Sequence, residues 1–242
     1  MLVGAVTDIG VVRTANQDSM FISNDPSLRL FIVADGMGGH KAGELASKLA
    51  VESIAGYFSS VSPKITSEVK AQGAVVDSIA MANEEIFSKS TKDSECTGMG
   101  TTLTMCYAYK SKLILGHVGD SRAYILRDGG IAQLTEDHSL VNQLIRGGKI
   151  TRQEAINHPQ RNVITRAVGT SEDIEVDTLI LKPLKNDVII LCSDGLTNMV
   201  GDIELLSIFS DREDLQSACR MAVELAKTNG GTDNITVIAI RI

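Results

Sequence analysis

The sequence predicts an α+β domain in which β-sheets pack on each other and helices lie in pairs outside them. Three observations carry this. Apolar runs of strand length recur along the chain between turn signals. Helical-period segments come in tandem twice, at 41–60 then 65–90 and at 202–209 then 215–228, which a strand–helix–strand crossover fold does not allow. The length, 242 residues, suits one domain of 1–242, since sheet-on-sheet folds run to about 250 residues as a unit.

Strands are expected at 1–6, 19–23 and 30–34. The first helix shows Val51, Ile54, Ala55 and Phe58 at helical spacing, with Glu44, Lys48 and Glu52 on other faces. Beyond Pro63, the second helix carries a stripe of Val69, Val76, Ile79, Ala80, Ile86 and Phe87. Strands at 101–109, 112–118 and 122–127 follow, and Asp128-Gly129-Gly130 turns the last into a hairpin with 131–134. Residues 137–169 are polar, with short helical patterns at 140–145 and 152–156, and read as a surface insertion. Strands at 174–181 and 187–192, two helices and a strand at 235–241 close the chain.

Composition narrows the function. Lys+Arg number 23 and Asp+Glu 30, a net charge of −7, which argues against a nucleic-acid or anionic-membrane binder. No 18-residue apolar run spans a membrane, and the opening MLVGAVTDIG lacks a signal's basic and apolar regions, so a cytoplasmic protein is expected. With 4% aromatic residues and no Trp the core must be aliphatic. Cys96, Cys106, Cys192 and Cys219 match no zinc spacing.

Aspartates fall at the ends of apolar runs: Asp35 after LFIVA, Asp120 after LILGHVG, Asp194 after VIILCS, and Asp233 just before ITVIAI. Any one Asp-Gly is also a turn signal, and Asp128-Gly129 is read as one. If the strand ends lie side by side, several carboxylates share a cleft. Like charges that close cannot all ionise without cations, and an all-oxygen set suits Mg²⁺ or Mn²⁺.

In order, Arg13-Thr14-Ala15-Asn16-Gln17-Asp18, Val33-Ala34-Asp35-Gly36-Met37-Gly38-Gly39-His40, Gly100-Thr101-Thr102, Gly119-Asp120-Ser121-Arg122, Asp137-His138, Ser193-Asp194-Gly195-Leu196 and Asp233-Asn234 span nearly the whole chain. This set resembles the metal-dependent protein serine/threonine phosphatases of type 2C in their short bacterial form. The resemblance implies a β-sandwich of two antiparallel sheets, each flanked by a pair of antiparallel helices, with a flap at about 137–170. It implies two Mn²⁺ or Mg²⁺ ions, and a third as in bacterial members. Asp35 would bridge the two, the Gly36 carbonyl would bind the second, and Asp194 and Asp233 would complete the first. Asp120 with Asp194 would hold the third, Asp18 would act at the metal–water shell, and Arg13 would grip the substrate phosphate. A metal-bridged hydroxide would then attack phosphorus in line on a phosphoprotein, reversing a Ser/Thr kinase.

Gln17 stands where many members have Glu, and Met37 where eukaryotic members carry a histidine thought to protonate the leaving group. His40 is the candidate general acid in its place, with a metal-bound water as the alternative. His117 reads as a satisfied core histidine, His138 as ordering the start of the insertion, His158 as part of a turn, and Ser121 and Arg122 as positioning the Asp120 loop. Arg146, Arg152, Arg161 and Arg166 are either contacts for a phosphoprotein or a solvated basic face. A cysteine phosphatase is excluded, because the sixth residue after each Cys is Thr102, Lys112, Asn198 or Leu225 rather than Arg. Two rivals stay open: a non-catalytic regulator of the same fold, and a hydrolase of small phosphate esters.

Overall fold

The computed structural model describes residues 1–25, 27–39, 41–210 and 213–242. In chain order come β1 (Leu2–Asp8), β2 (Asp18–Ile22), β3 (Arg29–Met37), α1 (Lys41–Val61) and α2 (Glu68–Lys92). Strands β4 (Gly100–Thr101), β5 (Leu103–Tyr109), β6 (Lys112–Val118), β7 (Arg122–Arg127) and β8 (Gly130–Gln133) follow. Then come α3 (Leu140–Arg146), α4 (Arg152–Ile156), β9 (Asp177–Leu181), β10 (Val188–Cys192), α5 (Asp194–Thr197), α6 (Asp202–Phe209), α7 (Leu215–Thr228) and β11 (Ile235–Arg241).

The strands form two sheets, β1-β11-β10-β7-β8 and β2-β3-β5-β6-β9, with β4 also paired to β3. Every pairing is antiparallel. Strand alternation sorts the apolar residues into three layers. Phe31, Val33, Cys106, Leu113, Leu115, Ala123, Ile125, Ile189, Leu191, Ile238 and Ile240 fill the space between the sheets. Their neighbours along each strand face outward: Leu30, Ile32, Met105 and Ile114 onto α1 and α2, and Tyr124, Ile190, Val237 and Ala239 onto α6 and α7. Both faces of each central strand are therefore buried, which is why these strands read as continuous apolar runs. Each buried Leu, Ile or Val contributes about 1.5–3 kcal/mol.

Three local expectations are corrected. On α2 the buried face is Ala71, Ala74, Val75, Ser78, Ile79, Ala82, Asn83 and Ile86, while Val69 is 78% exposed and Ala80 faces solvent. At 100° per residue Val69 lies nearly opposite Ala82, so the small alanines, not the larger Val69, mark the packed side. The predicted strand 101–109 breaks at Thr102 into β4 and β5, and β9 starts at Asp177, with Ile174 and Val176 packing on the core outside any strand. The short helix α5 has no counterpart in the sequence pattern, because four residues carry no readable period. Among the described residues no helix is long and apolar enough to cross a membrane.

The segment between β8 and β9 is tied down at its base. Thr101 and Val168 exchange backbone hydrogen bonds of 3.0 and 2.9 Å. The buried Asn83 of α2 accepts from the Gly169 N–H at 2.7 Å and donates to the carbonyls of Ser171 and Glu172, both at 3.0 Å.

Candidate functional site

Follow the inner faces of the strands toward one end of the sandwich and the apolar layer turns polar. The alternation that points Phe31 and Val33 inward carries Asp35 the same way, and that of Met20 and Ile22 carries Asp18. Thr104 continues Cys106, His117 continues Leu115, Ser193 continues Leu191, and Thr236 continues Ile238. Register sets Asp18 opposite Asp35, and Thr104 opposite His117. The sheets are joined here by the Ser193 hydroxyl, which donates to Asp18 Oδ2 at 2.7 Å.

Asp35 lies inside β3, two residues before its end, rather than beyond it. Its backbone is fully engaged. The N–H donates to Thr102 Oγ1 at 3.0 Å, and the carbonyl accepts from Thr101 Oγ1 and the Thr102 N–H at 2.9 and 2.8 Å. Thr102 Oγ1 in turn pairs with Ser121 Oγ at 2.7 Å. The Gly100-Thr101-Thr102 stretch thus cradles the central aspartate. Gly36 has to be glycine, since a Cβ there would fall 2.0 Å from the Gly43 carbonyl oxygen of α1. Asp120 follows β6, Asp194 opens α5, and Asp233 precedes β11.

The carboxylates feel one another. Burial, then Asp18, Asp194, Asp120 and Asp233, holds Asp35 well above the ordinary carboxylate range. Burial chiefly pushes Asp18 up to about 7, against the hydroxyls of Thr236 and Ser193. Asp120 is pushed up to about 7 by burial and then by Asp194 and Asp137. Asp194 is raised by burial and by Asp233. Among the described residues, Asp18 Oδ1 and Asp194 Oδ1 are buried with no hydrogen-bond partner. An anionic oxygen left buried and unpartnered costs several kcal/mol, so native proteins pair it or place it on a cation. The donor set is therefore chemically suited to a hard divalent ion. Among the described residues no group of three or more His, Cys, Asp or Glu side chains is already arranged to hold one. One of the aspartates, Asp233, is turned onto Arg13, with Nη2 to Oδ2 at 2.7 Å.

The model of the family described as protein phosphatase 2C matches residues 11–229. The chain belongs to that family. It is 38% identical over 97% of its length to the serine/threonine phosphatase Stp of Listeria monocytogenes, covering 93% of that protein. The solved serine/threonine phosphatase of S. agalactiae matches 100% of this chain and 99% of its own, with a TM-score of 0.94 and 33% identity. The catalytic domain of the phosphatase PstP, solved in complex with two manganese ions, matches 98% of this chain and 96% of its own, with a TM-score of 0.85 and 33% identity. The chain is thus an enzyme, a metal-dependent protein phosphatase that hydrolyses phosphoesters, and its β-sandwich is the family's fold.

Around the phosphatase's aspartates lie residues whose weight only the structure reveals. Asn234, buried at the start of β11, accepts from the Gln17 N–H at 2.8 Å and donates to the carbonyls of Ile9 and Ala15, both at 2.9 Å. One side chain thereby stitches the 9–17 loop, which carries Arg13, to the Asp233 corner. The sequence signal is Asn beside Asp at a strand start, which does not announce three long-range bonds. His138 holds the Asp120 corner: its Nδ1 accepts from the Gly119 N–H at 3.0 Å, and its own backbone N–H donates to the Gly119 carbonyl at 2.7 Å. With Nδ1 accepting, Nε2 carries the proton toward Asp177 Oδ2 at 3.2 Å.

His117 is buried, with Nδ1 against Thr104 Oγ1 at 2.9 Å and Nε2 against the Glu136 carbonyl at 3.2 Å, and its ring lies 4.9 Å from that of His138. His158 accepts from the Gln160 N–H within a turn. His40 lies outside the described residues. Arg122 makes a forked pair with Asp137, its shortest contact 2.6 Å. Of the insertion's arginines, Arg166 is bound to Glu175 and Asp177, and Arg146 to Glu136, so these two already have acidic partners. Arg161 donates to the Ile156 carbonyl at 3.4 Å. Gln17 donates to the Gly38 carbonyl, also at 3.4 Å.

Proposed function

We propose that this phosphatase hydrolyses phosphoserine and phosphothreonine in cytoplasmic proteins, reversing a Ser/Thr protein kinase. The observation that carries it is the meeting of aspartates from both sheets around two buried carboxylate oxygens that have no partner among the described residues. The names the relatives bear, serine/threonine phosphatase among them, support the choice of substrate. On this reading Asp35, Gly36, Asp194 and Asp233 would hold two Mn²⁺ or Mg²⁺ ions, and Asp120 with Asp194 a third. Such ions supply, when bound, the charge that activates water and neutralises the phosphoryl group.

The chain's own residues do the rest. Arg13 is half exposed at the rim, and its planar fork suits two phosphate oxygens. Asn234 fixes the loop that presents it. Asp18, which accepts a hydrogen bond from Ser193, would act at the ions' water shell. His40 remains the candidate proton donor to the leaving oxygen. The chain 1–242 acts as one catalytic domain, with 137–170 as a flap over substrate access.

Hydrolysis of a phosphothreonine peptide tests the reading, measured with Mn²⁺, with Mg²⁺, with EDTA and in Asp194→Ala. Turnover that needs a divalent ion and vanishes in the variant is the expected result. A folded, Mn²⁺-binding protein that turns over nucleotides but no phosphopeptide would overturn it in favour of a small-ester hydrolase.

A further inference from the structure

The loop that carries Arg13 exposes three aliphatic side chains within four positions. Val11 is 62% exposed, Val12 63% and Ile9 38%. A lone exposed aliphatic residue needs no explanation. Three in one turn do, since such turns favour Gly, Asn, Asp and Ser.

Their backbone is rigidly held. The Val11 N–H donates to the Gly231 carbonyl at 2.8 Å, and the Gly10 N–H to Asp8 Oδ1 at 2.8 Å. A Cβ on Gly10 would fall 2.2 Å from the Asp233 carbonyl oxygen, so the turn is packed directly on the Asp233 corner. Asn234 fastens it at Ile9 and Ala15, and Lys227 holds Asp8 at 3.2 Å. A turn so braced is preorganised, and ordering it on binding costs little.

We infer that Val11 and Val12 form a specificity element that receives one aliphatic side chain of the substrate, next to or one removed from the phosphorylated residue. The inference rests on the reading of Arg13 as the phosphate grip. Consecutive Cα atoms stand about 3.8 Å apart, and an extended peptide advances about 3.3 Å per residue. A side chain one or two residues from a phosphate held on Arg13 is therefore within reach of the residues that precede Arg13. Val11 and Val12 are the exposed apolar residues that adjoin Arg13 in the chain, whereas Asp233, the partner of Arg13, belongs with Asp18, Asp35, Asp120 and Asp194, a set that offers an aliphatic side chain nothing.

The test is kcat/KM on a set of phosphothreonine peptides with Mn²⁺, leucine or serine being placed in turn at each of the two positions on either side of the phosphothreonine. Half-covering a leucine favours it over serine by about fivefold to tenfold at one or two of those positions. In the Val11→Ser/Val12→Ser double variant that ratio falls below about twofold. Looseness of the loop would lower both peptides together and leave the ratio intact, so the ratio separates recognition from structure. Val69→Ser, far out on α2, keeps the wild-type ratio. A flat leucine-to-serine profile in an active wild type, or a ratio that survives in the double variant, overturns the inference alone. No turnover of any peptide or of p-nitrophenyl phosphate with Mn²⁺ or Mg²⁺ overturns the phosphatase reading and this one with it.

Discussion

The layer between the two sheets has an apolar stretch and a polar end, and the same strands build both. Along β3, Phe31 and Val33 pack against Ile189, Leu191 and Ile238, whereas Asp35 faces Asp18 and Asp194. Along β6, Leu113 and Leu115 give way to His117. The first region gains free energy from every side chain it buries. The second loses it, because burial and mutual repulsion work against four carboxylates there. The lesson is that alternation alone aims the site: the pleat that buries valine also aims aspartate, and the apolar stretch bears the cost of the polar end.

The sharpest way to break that comparison is Asp35→Asn, which keeps shape and removes charge. Turnover is expected to fall by about a thousandfold or more. The metal-free protein is expected to gain stability, since a carboxyl whose folded pKa is raised costs stability once ionised. Steady-state kinetics and thermal melting in EDTA check the two halves. A variant that is both inactive and less stable than wild type in EDTA would show that Asp35 holds the fold rather than straining it.

Ile189→Ala is the mirror experiment. Ile189 is fully buried in the inter-sheet layer, and the cavity should cost about 3–4 kcal/mol. The melting temperature should drop by roughly 10 °C. Turnover per folded molecule at low temperature should hold, because the apolar stretch acts on chemistry only through the strands it supports.

Between these extremes sits Asn234→Ala. It removes three hydrogen bonds to the 9–17 loop, worth about 2–3 kcal/mol together. With the loop freed, KM for a phosphopeptide should rise more than kcat falls. Denaturant melts and a KM-against-kcat split would expose the opposite order.

Legibility follows the same division. Apolar runs and their terminal aspartates are local signals, so the strands, the tandem helices and the convergence of Asp35, Asp120, Asp194 and Asp233 could be read from the chain. Resemblance alone singled out Asp18 and Arg13. What stayed hidden depends on register across distant segments. Asn234 bonds to residues 217 to 225 positions away, and Thr102 cradles Asp35 from 67 positions away. Local reading placed Ile79 and Ile86 on the buried face of α2 but erred at Val69, whose bulk suggested a core residue, and missed Ala71, Ala74 and Ala82, which pack there beside them.

A smaller effect separates His117 from its acidic neighbours. Burial, helped by His138, lowers its pKa to about 4, against the opposing pull of Asp137, the Glu136 carbonyl and Asp177. An unfolded histidine takes up its proton near pH 6.5. Stability owed to a neutral His117 is therefore complete above pH 6.5 and is lost as pH falls toward 4. Between pH 7.5 and 5, wild type should lose about 2 kcal/mol more than His117→Gln, with Mn²⁺ present in both. Equal slopes in the two proteins would place the proton uptake elsewhere.

The finest contrast is between two glycines. Gly36 lies against the Gly43 carbonyl at the site, and a Cβ there has 2.0 Å in which to fit. Gly56 lies inside α1, where an added Cβ would meet nothing within 4 Å and the backbone is not left-handed. Alanine at position 56 restricts the unfolded chain and suits the helix, so Gly56→Ala should add about 0.5–1 kcal/mol. The melting temperature should rise by about 1–4 °C with kinetics unaltered. Gly36→Ala must instead push α1 off the strand that carries Asp35, and should lose activity before it loses the fold. If Gly56→Ala destabilised the protein, helix α1 would need flexibility at its exposed face, and the division between a strained site and a relaxed scaffold would have to be redrawn through that helix.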